Sequence, residues 1–387
     1  MSDDLPSSGP PGPERPQGAS DRGGPDSHGP NQPGSNQVGP GRPGQSPQPG
    51  RPHRGDPDED GPPPLPLGLR LAFYYLLFTL LLQLGGSVLL VLLMGQPLQP
   101  GDSIDLGLAV AAQALLAPWV MMMTRIYLER VDGRPVRAIG VAWPGGEPAH
   151  SSRWLLVAAV LAAAILAAWA GLTSTLGTLE LHGWDPQTET SVVAGEGSSE
   201  TPAAPAPPVT VGGGSAPSLG DLFRVLAFGL GLLVVSVIHE WGFRGYVYSA
   251  LRDRLSWIHA AGLSALLYGL YLAPAADLTP AGLTNILLIA FLLAALRELS
   301  GSVWVGAVFH GMWNFFLGCL LSLPVSGDFF PRLLAVELGG AEALTGGDYG
   351  PEGSWAITAL LILVLAVLVA RIGDRGPLEP PPEPVED

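Results

Sequence analysis

Apolar residues in this chain are gathered into about eight runs of 17 to 25 residues, separated by Pro/Gly-rich or charged connectors. At about 1.5 Å per residue, such a run makes a helix that crosses roughly 30 Å of hydrocarbon. Composition agrees, since 47% of residues are hydrophobic and only 14% charged, which points away from soluble domains. The chain is therefore expected to be an all-α polytopic membrane protein with about eight transmembrane helices. These fall near residues 70–95, 104–124, 154–178, 221–239, 257–273, 281–297, 302–323 and 355–371.

The connectors supply the rest of the layout. Residues 1–67 are dominated by Pro, Gly, Ser and Gln and hold no apolar stretch of signal-peptide type, so they read as a disordered cytoplasmic tail. The first three transmembrane helices occupy 68–178, a flexible extracytoplasmic loop 179–219, and a core of motif-bearing helices 220–323. A second extracytoplasmic loop (324–354), a last helix (355–373) and an acidic Pro-rich tail (374–387) follow. Cytoplasmic loops collect arginine, and Arg125, Arg130, Arg134 and Arg137 follow the second span while Arg244, Arg252 and Arg254 follow the fourth. Both connectors, and both termini, are expected on the cytoplasmic side of a plasma membrane. The net charge of −15 sits largely in tails and loops, and no nucleic-acid partner is expected. The single cysteine, Cys319, lies in an apolar run and is expected to pack as a small hydrophobe.

Ionisable side chains inside a bilayer cost on the order of 3 kcal/mol each, so those that persist are functional candidates. His239 and Glu240 close the fourth run, Arg244 follows, and His310 and Asn314 sit inside the seventh. Glu240 and Arg244 stand four residues apart, on one helical face and in the favourable order for an ion pair. His310 and Asn314, also four apart, present an imidazole and an amide on one face of an apolar helix. Two polar pairs on separate spans imply one shared polar cavity, expected to open toward the cytoplasm. A zinc-peptidase helix needs a second histidine at 243, and Phe243 stands there. Trp241, Tyr246 and Tyr248 follow the pattern of interfacial anchors. His259 is expected among headgroups, Arg297 and Glu298 at a cytoplasmic boundary, and Trp304 and Trp313 in packing.

In this order the segments resemble the CPBP intramembrane endopeptidases, which include the type II CAAX prenyl proteases and the bacterial Abi self-immunity proteins. VIHEWGFRGYVYSAL follows that family's EExxxR motif with His239 in place of the leading glutamate. SALLYGLYLAP follows FxxxH with Tyr268 for Phe and Leu272 for His, and GSVWVGAVFHGMWNF carries HxxxN intact. The connectors DGRPVRAIGV, LPVSGD and LTGGDYGPEGS are similar to phrases common in bacterial members. The resemblance implies a CPBP-type helical bundle that hydrolyses peptide bonds by water attack. His239 and Glu240 would stand at the water-activating motif, with Arg244 as its arginine and His310 with Asn314 as the oxyanion pair. The implied partners are membrane lipids and a membrane-anchored or prenylated peptide substrate. A divalent metal such as zinc, held by His239, Glu240 and His310, is a further possibility. An inactive scaffold that binds membrane partners is the alternative within the fold, and a transporter is the alternative outside it.

Overall fold

The computed structural model describes residues 65–97, 103–141, 148–187, 191–193, 214–273 and 278–373. The expected tails fall outside these residues, apart from Leu65–Leu67. The chain is an integral membrane protein built from helices, seven of which are long and apolar enough to cross a bilayer. α1 (Leu67–Met94) leads into a second span, Leu106–Asp132, made of α2 (Leu106–Ala114), α3 (Ala117–Tyr127) and a π-helical turn at Leu128–Asp132. Pro118, in the first turn of α3, has no amide to carry the helix through from α2.

α4 (Pro148–Thr175) is followed by α5 (Leu219–Glu240), whose N-terminus carries a capping box between Ser218 and Asp221. The expected end of this span near residue 239 is not a helix end. A π-helical stretch, Trp241–Val247, and α6 (Tyr248–Arg252) continue the same rod to a length of 34 residues. α7 (Trp257–Leu272), α8 (Pro280–Ser300) and α9 (Val303–Asn314) complete the core, and α9 runs on as a π-helix over Phe315–Leu320. α10 (Glu342–Thr345) is a single turn, and α11 (Trp355–Gly373) is the last span. Of the eight expected spans, α7 is the short one. Its 16 residues reach only about 24 Å, less than the roughly 30 Å of hydrocarbon.

The arginine-bearing connectors meet at one end of the bundle. Arg70 at the start of α1 binds Asp132 at 2.6 Å, Arg134 binds Asp253, and Arg252 reaches Glu298 at 3.1 Å. Burial pulls the Asp253 carboxyl above its usual range, and the Arg134 charge opposes that rise. The connector after α3 docks under the turn between α8 and α9: Val303 N donates to Gly140 O (2.9 Å) and Trp304 Nε1 to Val141 O (2.8 Å). Ile372 of α11 packs with Ala295 and Leu299 of α8 at the same end.

The opposite end carries four short strands, from the connector before α2, the described parts of the 179–219 loop and the 324–354 loop. β1 (Ser103–Asp105) pairs with β3 (Ser191–Val193), while β2 (Leu179–Gln187) pairs antiparallel with β4 (Arg332–Leu338), Leu179 facing Leu338 and Trp184 facing Leu334. These ribbons were not expected from a hydropathy pattern that marks only the spans.

The expected interfacial anchors are a correction. Trp241, Tyr246 and Tyr248 are 8%, 1% and 2% exposed, because α1, α3 and α8 enclose the stretch that carries them. The Tyr246 ring lies 3.9 Å from that of Tyr74 and 5.4 Å from that of Tyr127, and Tyr248 donates its hydroxyl to Glu298 at 2.5 Å. Cys319 is fully buried, as expected of a small core residue.

Gly140 tests how the docked connector is held. Its φ is +76°, and a methyl group there would lie 2.1 Å from Arg297 Nη2. Gly301, with φ +71°, has open space instead. Gly301→Ala should cost about 1 kcal/mol for the left-handed backbone, and Gly140→Ala about 1–3 kcal/mol more for displacing the guanidinium. Thermal unfolding in detergent measures both, and equal losses would contradict the docking.

Candidate active site

Two helices that cross closely build the site. On α9, Gly306 and Gly311 face α5; a methyl group on Gly311 would sit 3.1 Å from Leu233 Cα, and one on Gly306 would sit 2.7 Å from Glu240 Oε2. Small residues at such a crossing let backbones approach where lipid offers no hydrophobic drive to association. Glu240 and Arg244 lie here with no exposed surface at all. Arg244 Nη1 donates to Glu240 Oε1 at 3.2 Å, and Nη2 donates to the carbonyl of Ala290 at 2.9 Å. The guanidinium carbon stands 4.6 Å above the centre of the Tyr268 ring, close enough for a cation–π contact. Among the described residues, Glu240 Oε2 and Arg244 Nε have no hydrogen-bond partner.

His310 comes to the same carboxylate from the second helix, with Nδ1 at 3.4 Å from Glu240 Oε1. Its ring stacks against that of His239, with centroids 5.9 Å apart and planes inclined by 25°. Tyr268 and Tyr271 of α7 meet His239 edge-on at 5.9 and 5.5 Å, and Tyr268 also meets His310 at 6.2 Å. Asn314 lies one helical turn beyond His310, is partly exposed, and its side chain makes no hydrogen bond to the described residues. Among the described residues, no three His, Cys, Asp or Glu side chains come together as metal ligands. The candidate set His239, Glu240 and His310 does not fit an ion: the imidazoles stack face to face, and the carboxylate is engaged by Arg244.

The motif spacing and this geometry concern the same stretch of chain. Residues 221–316 match the family described as Type II CAAX prenyl endopeptidase Rce1-like. No curated protein matches the chain. The Rce1-like region is roughly a quarter of the 387 residues and runs from the first turn of α5 to just past Asn314. Within it, Leu272 is partly buried at the end of α7, and the two tyrosines of that helix are what border the imidazoles.

Every residue from Glu240 through Leu251 is buried. The remaining exposure lies on His239, on Asn314 and on His310, whose side chain is 12% exposed.

One buried acid went unread in the sequence. Glu352, in the connector before α11, is 7% exposed and accepts from Trp313 Nε1 at 2.8 Å and from Ser326 N and Oγ at 2.9 and 2.7 Å. Asn285 of α8 donates to the Glu352 and Ser354 carbonyls at 2.8 and 2.9 Å. The loop thereby fixes the tryptophan next to Asn314. Its signal was the lone glutamate amid the turn-formers of GGDYGPEGS, which reads equally well as a solvated loop.

Gly306→Ala should push its methyl into the Glu240 carboxylate and cost about 1–3 kcal/mol. Gly262→Ala, mid-helix with nothing within 4 Å, should instead gain up to about 1 kcal/mol. Opposite shifts in thermal unfolding are the expected outcome, and a neutral Gly306→Ala would contradict the close approach.

Proposed function

We propose that the protein is a CAAX protease-like intramembrane endopeptidase that hydrolyses a peptide bond of a membrane-anchored substrate by direct water attack. The observation that carries this reading is that an imidazole from a second helix reaches one buried carboxylate, with His310 Nδ1 at 3.4 Å from Glu240 Oε1, while the His239 ring stacks 5.9 Å from that of His310.

A carboxylate only accepts hydrogen bonds, so the proton of this contact belongs on Nδ1 of His310. That leaves Nε2 as the ring nitrogen available to the oxyanion that forms as water adds to the scissile carbonyl. Asn314, with an amide unspent on the described residues and one turn away, is the second donor. His239, whose imidazole replaces the family's lead glutamate, takes the proton from water. It later returns that proton to the leaving amine. Arg244 balances the charge of Glu240, so the carboxylate orients His310 without standing alone in a dry interior. The arginine-bearing end is assigned to the cytoplasm on its arginine content.

A second reading, a proteolytically inactive membrane scaffold, is favoured by one feature: Leu272, at the family's middle histidine position, has no acid–base chemistry. Hydrolysis of membrane-anchored peptides, with and without a prenyl group, by purified protein separates the two. The peptidase reading predicts turnover that falls about 10²-fold or more in His310→Ala and at least as far in His239→Ala. Turnover that appears only after His239→Glu with Leu272→His would assign the native chain to the scaffold reading.

A further inference from the structure

We propose that the β2–β4 ribbon is a membrane-surface anchor, with Leu181 and Trp184 of β2 resting on the lipid bilayer at the rim of the bundle. The partner is the bilayer interface, where headgroups give way to acyl chains. The inference is independent of the peptidase reading.

The first argument is how strand pairing sorts the side chains. Residues directly opposite one another in an antiparallel pair share a face, and Leu179 stands opposite Leu338, Leu181 opposite Val336 and Trp184 opposite Leu334. A register shift between Leu181 and Gly183 takes up one extra residue, so Leu181 and Trp184, three apart, still share that face. The face is therefore apolar on both strands. The other carries Glu180 opposite Glu337, both exposed, with His182 Nε2 at 3.2 Å from Glu337 Oε2.

On β4 the apolar face is covered by the bundle. Val336 belongs to the core that α4, α5, α8, α9 and α11 share, and Leu334 and Leu338 pack against it. This face of the ribbon thus turns toward the spanning helices. On β2, which pairs with β4 alone among the described residues, the same face carries Leu181 at 62% and Trp184 at 46% exposure. These two side chains overhang the rim of the bundle on its membrane side.

The second argument is depth. The spanning part of α4, Ser152–Thr175, has 24 residues and so reaches about 36 Å, which brings its end to the edge of roughly 30 Å of hydrocarbon. The ribbon starts there without a spacer: Thr178 N and Oγ1 both donate to Thr173 O, at 2.9 and 3.0 Å, and Gly339 N donates to Thr178 O at 2.8 Å. At about 3.3 Å per residue, Leu181 lies within about 10 Å of Thr178. Leu172 and Leu176, at the end of α4, are 43% and 54% exposed, so one apolar surface runs from the helix onto the ribbon. A tryptophan beside an aliphatic side chain suits that depth, where its ring meets hydrocarbon and its indole N–H meets headgroups.

Site-directed spin labelling of the full chain in phosphatidylcholine nanodiscs tests the contact. Cys319 is the only cysteine and is fully buried, so Cys319→Ser gives a clean background. Nitroxides are attached to Leu181→Cys and Trp184→Cys, to Glu337→Cys on the charged face, and to Leu172→Cys as the lipid reference. The readout is the ratio of collision rates with oxygen, which concentrates in lipid, and with a water-soluble nickel chelate. The expected ratio at 181 and 184 is at least about threefold above that at 337, approaching that at 172, as for groups sunk roughly 5–10 Å into the interface. Ratios equal to that at 337 would place this face in water and overturn the proposal. So would low collision rates with both reagents together with spin–spin broadening that unlabelled protein dilutes away, because a second copy of the chain would then cover the face.

Discussion

A carboxylate with no exposed surface, Glu240, shared between an arginine on its own helix and a histidine on another, sets the terms for the rest of the bundle. Charge in such surroundings persists only when it is paired and hydrogen-bonded, and the pair repays its desolvation only if geometry is held tightly. Each close feature around it serves that end. Gly306 admits the carboxylate to the face of α9, the Ala290 carbonyl takes one edge of the guanidinium, and Tyr268 lies under its plane. A π-helical stretch begins at the residue after Glu240, and another at the residue after Asn314. Such stretches are uncommon and gather at functional sites, because the wider turn re-aims side chains that a regular helix would direct elsewhere.

The two ends of the molecule are built on different principles. At the arginine-bearing end, ion pairs between connectors draw helix termini together and drive Ile139 beneath the site. At the other end, backbone pairing of β2 with β4 and the buried carboxylate of Glu352 hold long loops against α8, α9 and α11. One end is thereby closed by packing. The other is held by paired strands and a buried acid.

Much of this was legible in the sequence, for physical reasons. The spans announce themselves because hydrocarbon tolerates little else over 20 residues, and His239, Glu240, Arg244, His310 and Asn314 stand out because the same solvent penalises them. Their family motif pattern agrees with the Rce1-like match over 221–316. What stayed hidden depends on which neighbour covers a residue. Trp241, Tyr246 and Tyr248 have the composition of an interfacial belt, yet neighbouring helices bury them. Glu352 sits among glycines as a solvated acid would, and only the fold brings Trp313 and Ser326 to it. The strands of the two loops pair across 155 residues or so of chain, a distance over which no local pattern specifies a partner.

The central claim is that Glu240 and Arg244 form one coupled buried unit on which the site is organised. A double-mutant cycle with Glu240→Gln and Arg244→Met, read as unfolding free energy in mixed micelles, tests it most directly. Each single change should cost about 3–5 kcal/mol, because it leaves its partner charged and alone. The double change should recover at least about 2 kcal/mol of their sum. Strictly additive losses would mean that the two charges do not depend on one another, and the account of the site would fail with them.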